Sequence, residues 1–301
     1  MQLPALVSMH CSTLKVTIGK TIGDSWAVGP ALNKSHIEDY FQFIKLVAGR
    51  LATKWGHEEK EGMSVSALTD LSKYALDIGA LTILGIDFDS LNNQGHQLAN
   101  DIIELFRIIF MRTLSPVPYW KIPFCDNIID GGRDVAKRVM DTFRDRVRDY
   151  RNCKQQKEDG KNEEKGQTRQ EITKRTFLQK LVDISDGEDA KLEEERVVGN
   201  LAVLVFAGTD TTSTTLAVCL WEIANDPKLQ EELNEEITES GIDDMENLTL
   251  SDVMNRFPRL HSLLFEVLRV KGPAPFLFFE PGEAFDFQGE VLKPGTILCV
   301  D

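Results

Sequence analysis

The segment 192–225 constrains this chain more than any other, because it predicts one long helix whose middle is unlike its ends. Leu201, Leu204 and Val205 recur at helical spacing and form an apolar face. Gly208 follows, and the run TDTTSTT after it consists of residues with poor helix propensity. The sequence therefore predicts a core helix with a polar insertion halfway along.

The polar insertion has the composition of a site that could bind a small polar species. A threonine hydroxyl in a helix can donate to the carbonyl four residues earlier, so we expect Thr211 to bond Ala207 and to widen the helix beside Gly208. The Thr211 hydroxyl and the Asp210 carboxylate would then lie side by side in an apolar wall, where they could pass a proton. The alternative is a buried helix that satisfies these hydroxyls internally.

The rest of the chain is predicted to be helical almost throughout. Apolar residues recur at three- and four-residue steps in the segments 35–56, 65–84, 97–113, 134–155, 174–185, 227–239 and 258–270. The proline-rich stretch SPVPYWKIP predicts a non-helical linker. The last thirty residues predict strands in FLFF, FDFQGEVL and TILCV. We therefore expect a mainly α fold, a single domain over residues 1–301 with a small β region at its C-terminal end.

Composition and charge exclude several classes of function. Lys and Arg total 34 against 48 Asp and Glu, so the formal charge is −14, which repels nucleic acid. The five cysteines include no C-x-x-C pair, which argues against a disulfide framework and a zinc site, and we interpret Cys219 and Cys299 as core residues. No run of about 18 consecutive apolar residues predicts a membrane span. The charged segment 153–172 predicts a solvated loop.

Two motifs together resemble those of the cytochromes P450, the haem-thiolate monooxygenases. The sequence AGTDTT at 207–212 resembles the family's oxygen-activation motif, and EVLR at 266–269 resembles its E-x-x-R helix at the expected separation. Glu266 and Arg269 are three residues apart, so they can pair on one helix face, and their apolar neighbours predict at least partial burial. The C-terminal strand region follows in the family's order, and SPVPYWKIPF and DFDSL are similar to segments of plastid carotenoid hydroxylases and fatty-acid hydroxylases.

The resemblance implies a partial P450 fold, with a long central helix, and a role for each motif residue. Thr211 would hold the hydrogen-bond network around dioxygen, and Asp210 would feed protons from solvent. Ala207 and Gly208 would form the oxygen groove against the haem. Glu266 and Arg269 would be structural and would fix the core behind the haem.

The resemblance also implies the reaction and its partners. The complete enzyme would be a haem-iron monooxygenase that inserts one oxygen atom from dioxygen into an apolar organic substrate. Its electrons would come from NADPH through a reductase partner. Complete family members are usually associated with a membrane of the endoplasmic reticulum or the plastid, whereas nothing in this chain predicts a compartment.

The chain departs from the family pattern at the haem-binding groups. The family's axial cysteine lies in an F-x-x-G-x-x-x-C loop expected beyond Asp301, so we assign no metal ligand within the chain. Pro30 stands four residues after Trp26, and Phe278 and Phe279 stand in the later strand, at positions where arginines would contact the haem propionates. We therefore interpret the chain as an internal fragment without the N-terminal anchor and the cysteine loop. The rival hypotheses are a non-catalytic remnant or helical binding module unable to ligate haem, and an unrelated helical scaffold.

Overall fold

A computed structural model of the chain describes residues 34–92, 96–122, 124–158, 176–186, 194–242, 245–274 and 277–300. Trp26 and Pro30, residues 159–172 of the charged segment, and Asp301 lie outside the described residues.

Within these ranges the chain is mainly helical, as predicted. The α-helices are α1 (Lys34–Lys60), α2 (Ala67–Gly79), α3 (Gln97–Leu114), α4 (Cys125–Ile129), α5 (Gly132–Glu158), α6 (Phe177–Ser185), α7 (Glu194–Asn225), α8 (Pro227–Glu239), α9 (Leu250–Arg256) and α10 (Pro258–Lys271). A π-helix covers Ala80–Leu84, and short 3-10 helices cover Ser90–Asn92, Tyr119–Lys121 and Met245–Asn247.

The helix α8 shows how local chemistry sets a boundary. It begins with Pro227 at its first position, where a missing N–H costs nothing. The Asp226 carboxylate accepts hydrogen bonds from the backbone N–H groups of Lys228 and Leu229, at 3.0 and 3.1 Å. This cap places the start of the helix where the sequence predicts it.

Three predicted segments have a different conformation from the one expected. The second predicted helix changes from α to π at Ala80, where the Thr82 hydroxyl donates to the Ile78 carbonyl at 2.7 Å, and it stops at Gly85 with φ of 68°. The predicted helix 134–155 continues to Glu158, so residues 156–158 of the charged segment are helical rather than loop. The proline-rich linker contains the 3-10 helix Tyr119–Lys121, because only one turn forms between its prolines.

The core forms where α7 packs against α2 and α5, with α6 and α1 closing its sides. Burying one leucine or phenylalanine side chain contributes about 1.5–3 kcal/mol, and many are buried here. Fully buried side chains of this core include Leu76, Val139, Phe143, Phe177, Leu181, Val197, Leu201 and Val205.

The C-terminal residues form two small antiparallel ladders, which confirms the predicted β region. Strands β1 (Leu277–Phe279) and β4 (Leu298–Val300) pair with each other, and β2 (Phe285–Phe287) pairs with β3 (Glu290–Leu292). The β2–β3 hairpin closes through Gln288 and Gly289, which both have positive φ, as a two-residue turn of this hand requires.

A partly buried ion pair joins the end of α3 to the turn just before α5. The Arg112 guanidinium binds both carboxylate oxygens of Asp130, at 2.8 and 2.7 Å. The Asp130 carboxylate also accepts from the Tyr119 hydroxyl at 2.6 Å and from the Gly132 N–H at 2.9 Å. A side chain at position 132 would collide with Arg112, since an added Cβ would lie too close to its Nη2 atom. Gly132 therefore leaves room for the hydrogen bonds of Arg112, Tyr119 and Gly132 to the Asp130 carboxylate, which we call the Asp130 clamp.

The Asp130 clamp predicts a defined acid sensitivity. Burial alone would raise the pKa of Asp130, but the hydrogen bonds from Arg112, Tyr119 and Gly132 outweigh burial and lower that pKa to about 2. Because the pKa is depressed, the contribution to stability, about 2 kcal/mol, is complete above about pH 4 and is lost as pH falls through 2. Urea unfolding at pH 7 should show Asp130→Asn to be less stable by at least this amount, with the difference shrinking toward pH 2.

Asp149, exposed in the middle of α5, provides the matched control, since Asp149→Asn should change the free energy of unfolding by less than about 0.5 kcal/mol. A difference between wild type and Asp130→Asn that stays constant from pH 7 to pH 2 would contradict the clamp.

Candidate functional site

The middle of α7 has one covered side and one open side. Val205, Thr209 and Ser213 are four residues apart and share the covered side, where all three are buried. The Thr209 hydroxyl donates to the Val205 carbonyl at 2.7 Å, and Ser213 donates to the Asp210 carbonyl at 3.1 Å. The hydroxyls on this side are therefore satisfied internally, as the alternative interpretation of the helix requires for its buried residues.

The open side of α7 carries the other residues of the motif. Ala207, Gly208, Thr211 and Thr212 are exposed. The Thr211 hydroxyl donates to the Ala207 carbonyl at 2.6 Å, which confirms the bond predicted from their spacing. The structure thus separates threonines that serve packing from those that face outward.

The predicted widening at Gly208 is wrong. The helix α7 is regular α-helix from Glu194 to Asn225, because the hydroxyl of Thr211 adds its bond to the Ala207 carbonyl without interrupting the helical ladder. The space beside Gly208 is open because none of the described residues packs against that side of the helix. A Cβ added at Gly208 would meet no atom within 4 Å.

Asp210 lies on the open side with its carboxylate in solvent, next to Thr211 in the chain. The wall beside these residues is aromatic rather than uniformly aliphatic. Phe206 contacts Phe106 of α3 edge-to-face, with ring centroids 4.8 Å apart. Phe106 lies in the predicted helix 97–113, but its contact with Phe206 was not predicted, because contacts between distant helices leave no local spacing signal.

The Glu266–Arg269 pair forms as its spacing predicts but is not buried. Two hydrogen bonds of 2.8 and 2.6 Å join the side chains, which are 61% and 69% exposed. The hydrogen bond from Arg269 lowers the pKa of Glu266. The prediction of partial burial is wrong because Phe265 and Leu268 are themselves exposed, while Val267 is the neighbour that packs inward. The apolar neighbours of the pair therefore do not cover it.

The cysteines differ in environment. Cys219 is buried in α7, as predicted, and burial raises the pKa of its thiol. Cys299 is exposed, so its interpretation as a core residue is wrong, because the β1–β4 ladder is not covered on that side. Among the described residues, no three His, Cys, Asp or Glu side chains come together as a metal site.

The length and apolar composition of α7 are sufficient to cross a bilayer, although it has no uninterrupted apolar run of about 18 residues. Core helices pass the same test, and α7 packs along α2 and α5.

Comparisons with known proteins agree on one family. The family model described as Cytochrome P450 matches residues 28–300. Cytochrome P450 monooxygenase 205 of Postia placenta is 27% identical over 262 residues, covering 82% of this chain and 47% of the relative. Cytochrome P450 3A15 of Cavia porcellus is 23% identical over 281 residues, covering 91% and 52%. Protein LUTEIN DEFICIENT 5, chloroplastic, of Arabidopsis thaliana is 27% identical over 257 residues, covering 79% and 41%.

The fold agrees with solved structures as well. The crystal structure of a cytochrome P450DA mutant heme domain superposes with a TM-score of 0.73 at 19% identity, covering 92% of this chain and 55% of that one. The chain thus spans about half the length of the curated relatives it matches.

The two sides of α7 predict effects of different size when a threonine hydroxyl is removed. Thr209→Ala should lower the free energy of unfolding by about 1–2 kcal/mol, because it removes a buried bond and leaves a small cavity. Thr211→Ala should change it by less than about 0.5 kcal/mol, because Thr211 is exposed and alanine favours the helix. Urea denaturation of both variants measures the contrast. A larger loss for Thr211→Ala would make Thr211 a packing residue.

Proposed function

The chain belongs to the cytochrome P450 family, and from that premise we propose that the complete protein is a haem-dependent monooxygenase acting on an apolar organic substrate. The observation that carries the proposal is the open middle of α7. Ala207, Gly208 and the two threonines Thr211 and Thr212 are exposed there, over a stretch whose opposite side is core. These small side chains leave room for a bound group directly beside the helix backbone.

The open side of α7 fits a flat, largely apolar group such as haem. Ala207 and Gly208 present no side chain larger than a methyl group, and the space over Gly208 is empty to 4 Å. These two residues would lie against the face of the haem, with Thr211 one turn further along. When bound, haem supplies the centre at which dioxygen is reduced and one oxygen atom passes to the substrate. The axial ligand and the propionate contacts are assigned to no described residue.

The role of Thr211 would depend on the hydrogen bond that its hydroxyl donates. The single hydroxyl proton is donated to the Ala207 carbonyl at 2.6 Å, so the oxygen lone pairs are left to accept. Thr211 would therefore hold a water or another donor at the open face of α7. A hydroxyl fixed by a backbone bond keeps one orientation, which is what proton delivery to a defined atom requires.

Asp210 would exchange protons between solvent and that position. Its carboxylate is exposed and adjacent in the chain to Thr211. Helical geometry turns consecutive side chains by about 100°. The Asp210 carboxylate therefore reaches solvent at one edge of the open side of α7, next to Thr211. A relay from Asp210 through water to Thr211 would move protons without opening the apolar wall that Phe206 and Phe106 form.

The remaining roles follow the family. Glu266 and Arg269 would have a structural role behind the haem, and electrons would come from NADPH through a reductase. The apolar wall beside the motif supports an apolar substrate, and plastid carotenoid and fatty-acid hydroxylases give the class of molecule to test first. Reading the transcript beyond the codon for Asp301 would locate the cysteine loop. A stop codon there would favour the non-catalytic remnant.

For the complete protein, we predict that Thr211→Ala uncouples oxygen consumption from product formation. The variant loses the fixed acceptor, so reducing equivalents should be released as hydrogen peroxide or water, and the ratio of product to NADPH consumed should fall about tenfold. Parallel measurement of NADPH, oxygen, peroxide and product tests this.

Thr238→Ala is the matched control for the uncoupling experiment, because Thr238 of α8 is exposed and also donates its hydroxyl to the carbonyl four residues earlier, at 2.8 Å. Its coupling ratio should stay within twofold of wild type. Equal coupling in wild type and Thr211→Ala would remove Thr211 from the proposed role.

A further inference from the structure

The helix α10, which carries Glu266 and Arg269, cannot cap its own N-terminus. Phe257 at the cap position has no polar side-chain group, and Pro258 at the first position has no N–H. The His261 N–H bonds the Phe257 carbonyl at 3.0 Å, within the helix. The N–H groups of Arg259 and Leu260 therefore need an acceptor from outside α10.

Glu236 of α8 supplies that acceptor. Its Oε1 atom accepts from the Arg259 N–H at 2.6 Å, and its Oε2 atom accepts from the Leu260 N–H at 3.1 Å. The Glu236 residue is only 5% exposed. A carboxylate at this end of a helix is also favoured by the helix dipole. One buried side chain thus satisfies both remaining N–H groups of the first turn.

A second contact runs from α10 back to α8. The Arg259 guanidinium donates to the Glu232 carbonyl at 2.7 Å and lies 3.6 Å from the Glu235 carboxylate. The two helices therefore each contribute a group to the other: a carboxylate of α8 caps α10, and a guanidinium of α10 binds α8. This fixes the distance and the rotation between the two helices at one end.

The other end of α10 is tied to α7. The Lys271 ammonium group lies 2.5 Å from the Glu222 carboxylate and 4.3 Å from the centroid of the Trp221 ring. Lysine in the last turn of a helix also complements the helix dipole. Trp221 and Glu222 lie on the same helix as the Ala207–Thr212 motif, about three turns further along.

We propose that Glu236 and Lys271 are positioning residues that set α10 against α8 and α7, and so place Glu266 and Arg269 relative to the open side of α7. The Glu266–Arg269 pair does not set this placement, because it is exposed and joins residues of one helix turn. The importance of the placement for oxygen insertion rests on the proposed function. The placement itself is a property of the chain as it stands.

Hydrogen–deuterium exchange of the 301-residue chain tests the Glu236 anchor. Glu236→Ala should raise the exchange rates of the amides in the first turn of α10 at least tenfold, while peptides from α3 and α5 keep their rates. Glu236→Gln retains one acceptor oxygen and should give an intermediate rate. Glu231→Ala is the matched control, since Glu231 is an exposed glutamate of the same helix, and it should leave α10 unchanged.

Two results would overturn the Glu236 assignment. One is an unchanged exchange rate at Arg259 and Leu260 in Glu236→Ala. The other is an equal rise throughout the chain in both Glu236→Ala and Glu236→Gln, which would indicate general destabilisation rather than loss of a local cap.

The Lys271 anchor has a spectroscopic readout. Lys271→Met should shift the emission of Trp221, identified by subtracting the spectrum of Trp221→Phe, and should raise exchange in the last turn of α10. Lys228→Met is the control, because Lys228 is an exposed lysine of α8, and its emission should match wild type. Unchanged Trp221 emission and exchange in Lys271→Met would overturn the anchor. These measurements need no haem, so their outcome does not depend on the Thr211→Ala coupling experiment. The anchors can be overturned while the proposed role of Thr211 stands, and the role of Thr211 can be overturned while the anchors stand.

Discussion

The partial burial of α7 is the constraint on which the rest of the structure depends. At its N-terminal end, Val197, Val198 and Leu201 are fully buried, so α2, α5 and α6 must enclose the helix there. From Val205 onward only one side stays covered. A helix held this firmly at one end can carry glycine and threonine in its middle, because its stability does not depend on their low propensities.

Buried polar groups around that core join the helices at fixed points. Asp77 of α2 is fully buried, and its carboxylate accepts the N–H and the hydroxyl of Ser90, which fastens the turn after the π-helix. Burial raises the pKa of Asp77, and the bonds from Ser90 oppose that rise. Asp70 likewise accepts from Lys54 and from the Trp55 indole, joining α2 to α1. Each such group has little freedom to move, because leaving it unpaired would cost about 1–3 kcal/mol.

Local geometry was predictable from the sequence, whereas burial was only partly so. The hydroxyl bond from Thr211 to Ala207 follows from a spacing of four, and the pair of Glu266 and Arg269 follows from a spacing of three. Burial of that pair depends on which neighbouring element covers it. The apolar residues beside the pair in the sequence therefore led to the wrong prediction that it is partly buried. The helix Leu250–Arg256 was missed because seven residues show too little periodicity, although the capping box of Thr249 and Asp252 was a signal that could have found it.

The difference between local geometry and contacts across helices also explains why the motifs alone do not define a site. Ala207–Thr212 and Glu266–Arg269 each specify a local arrangement, but each is contained within a single helix. Their relation in space is set by contacts between helices, such as the Glu236 carboxylate at the start of α10 and the Lys271 ammonium at its end. Neither residue has a partner within four positions in these contacts, so no periodicity reveals them. The chemistry of such a fold can therefore be read from its motifs, while the geometry that makes the chemistry possible lies in residues outside them.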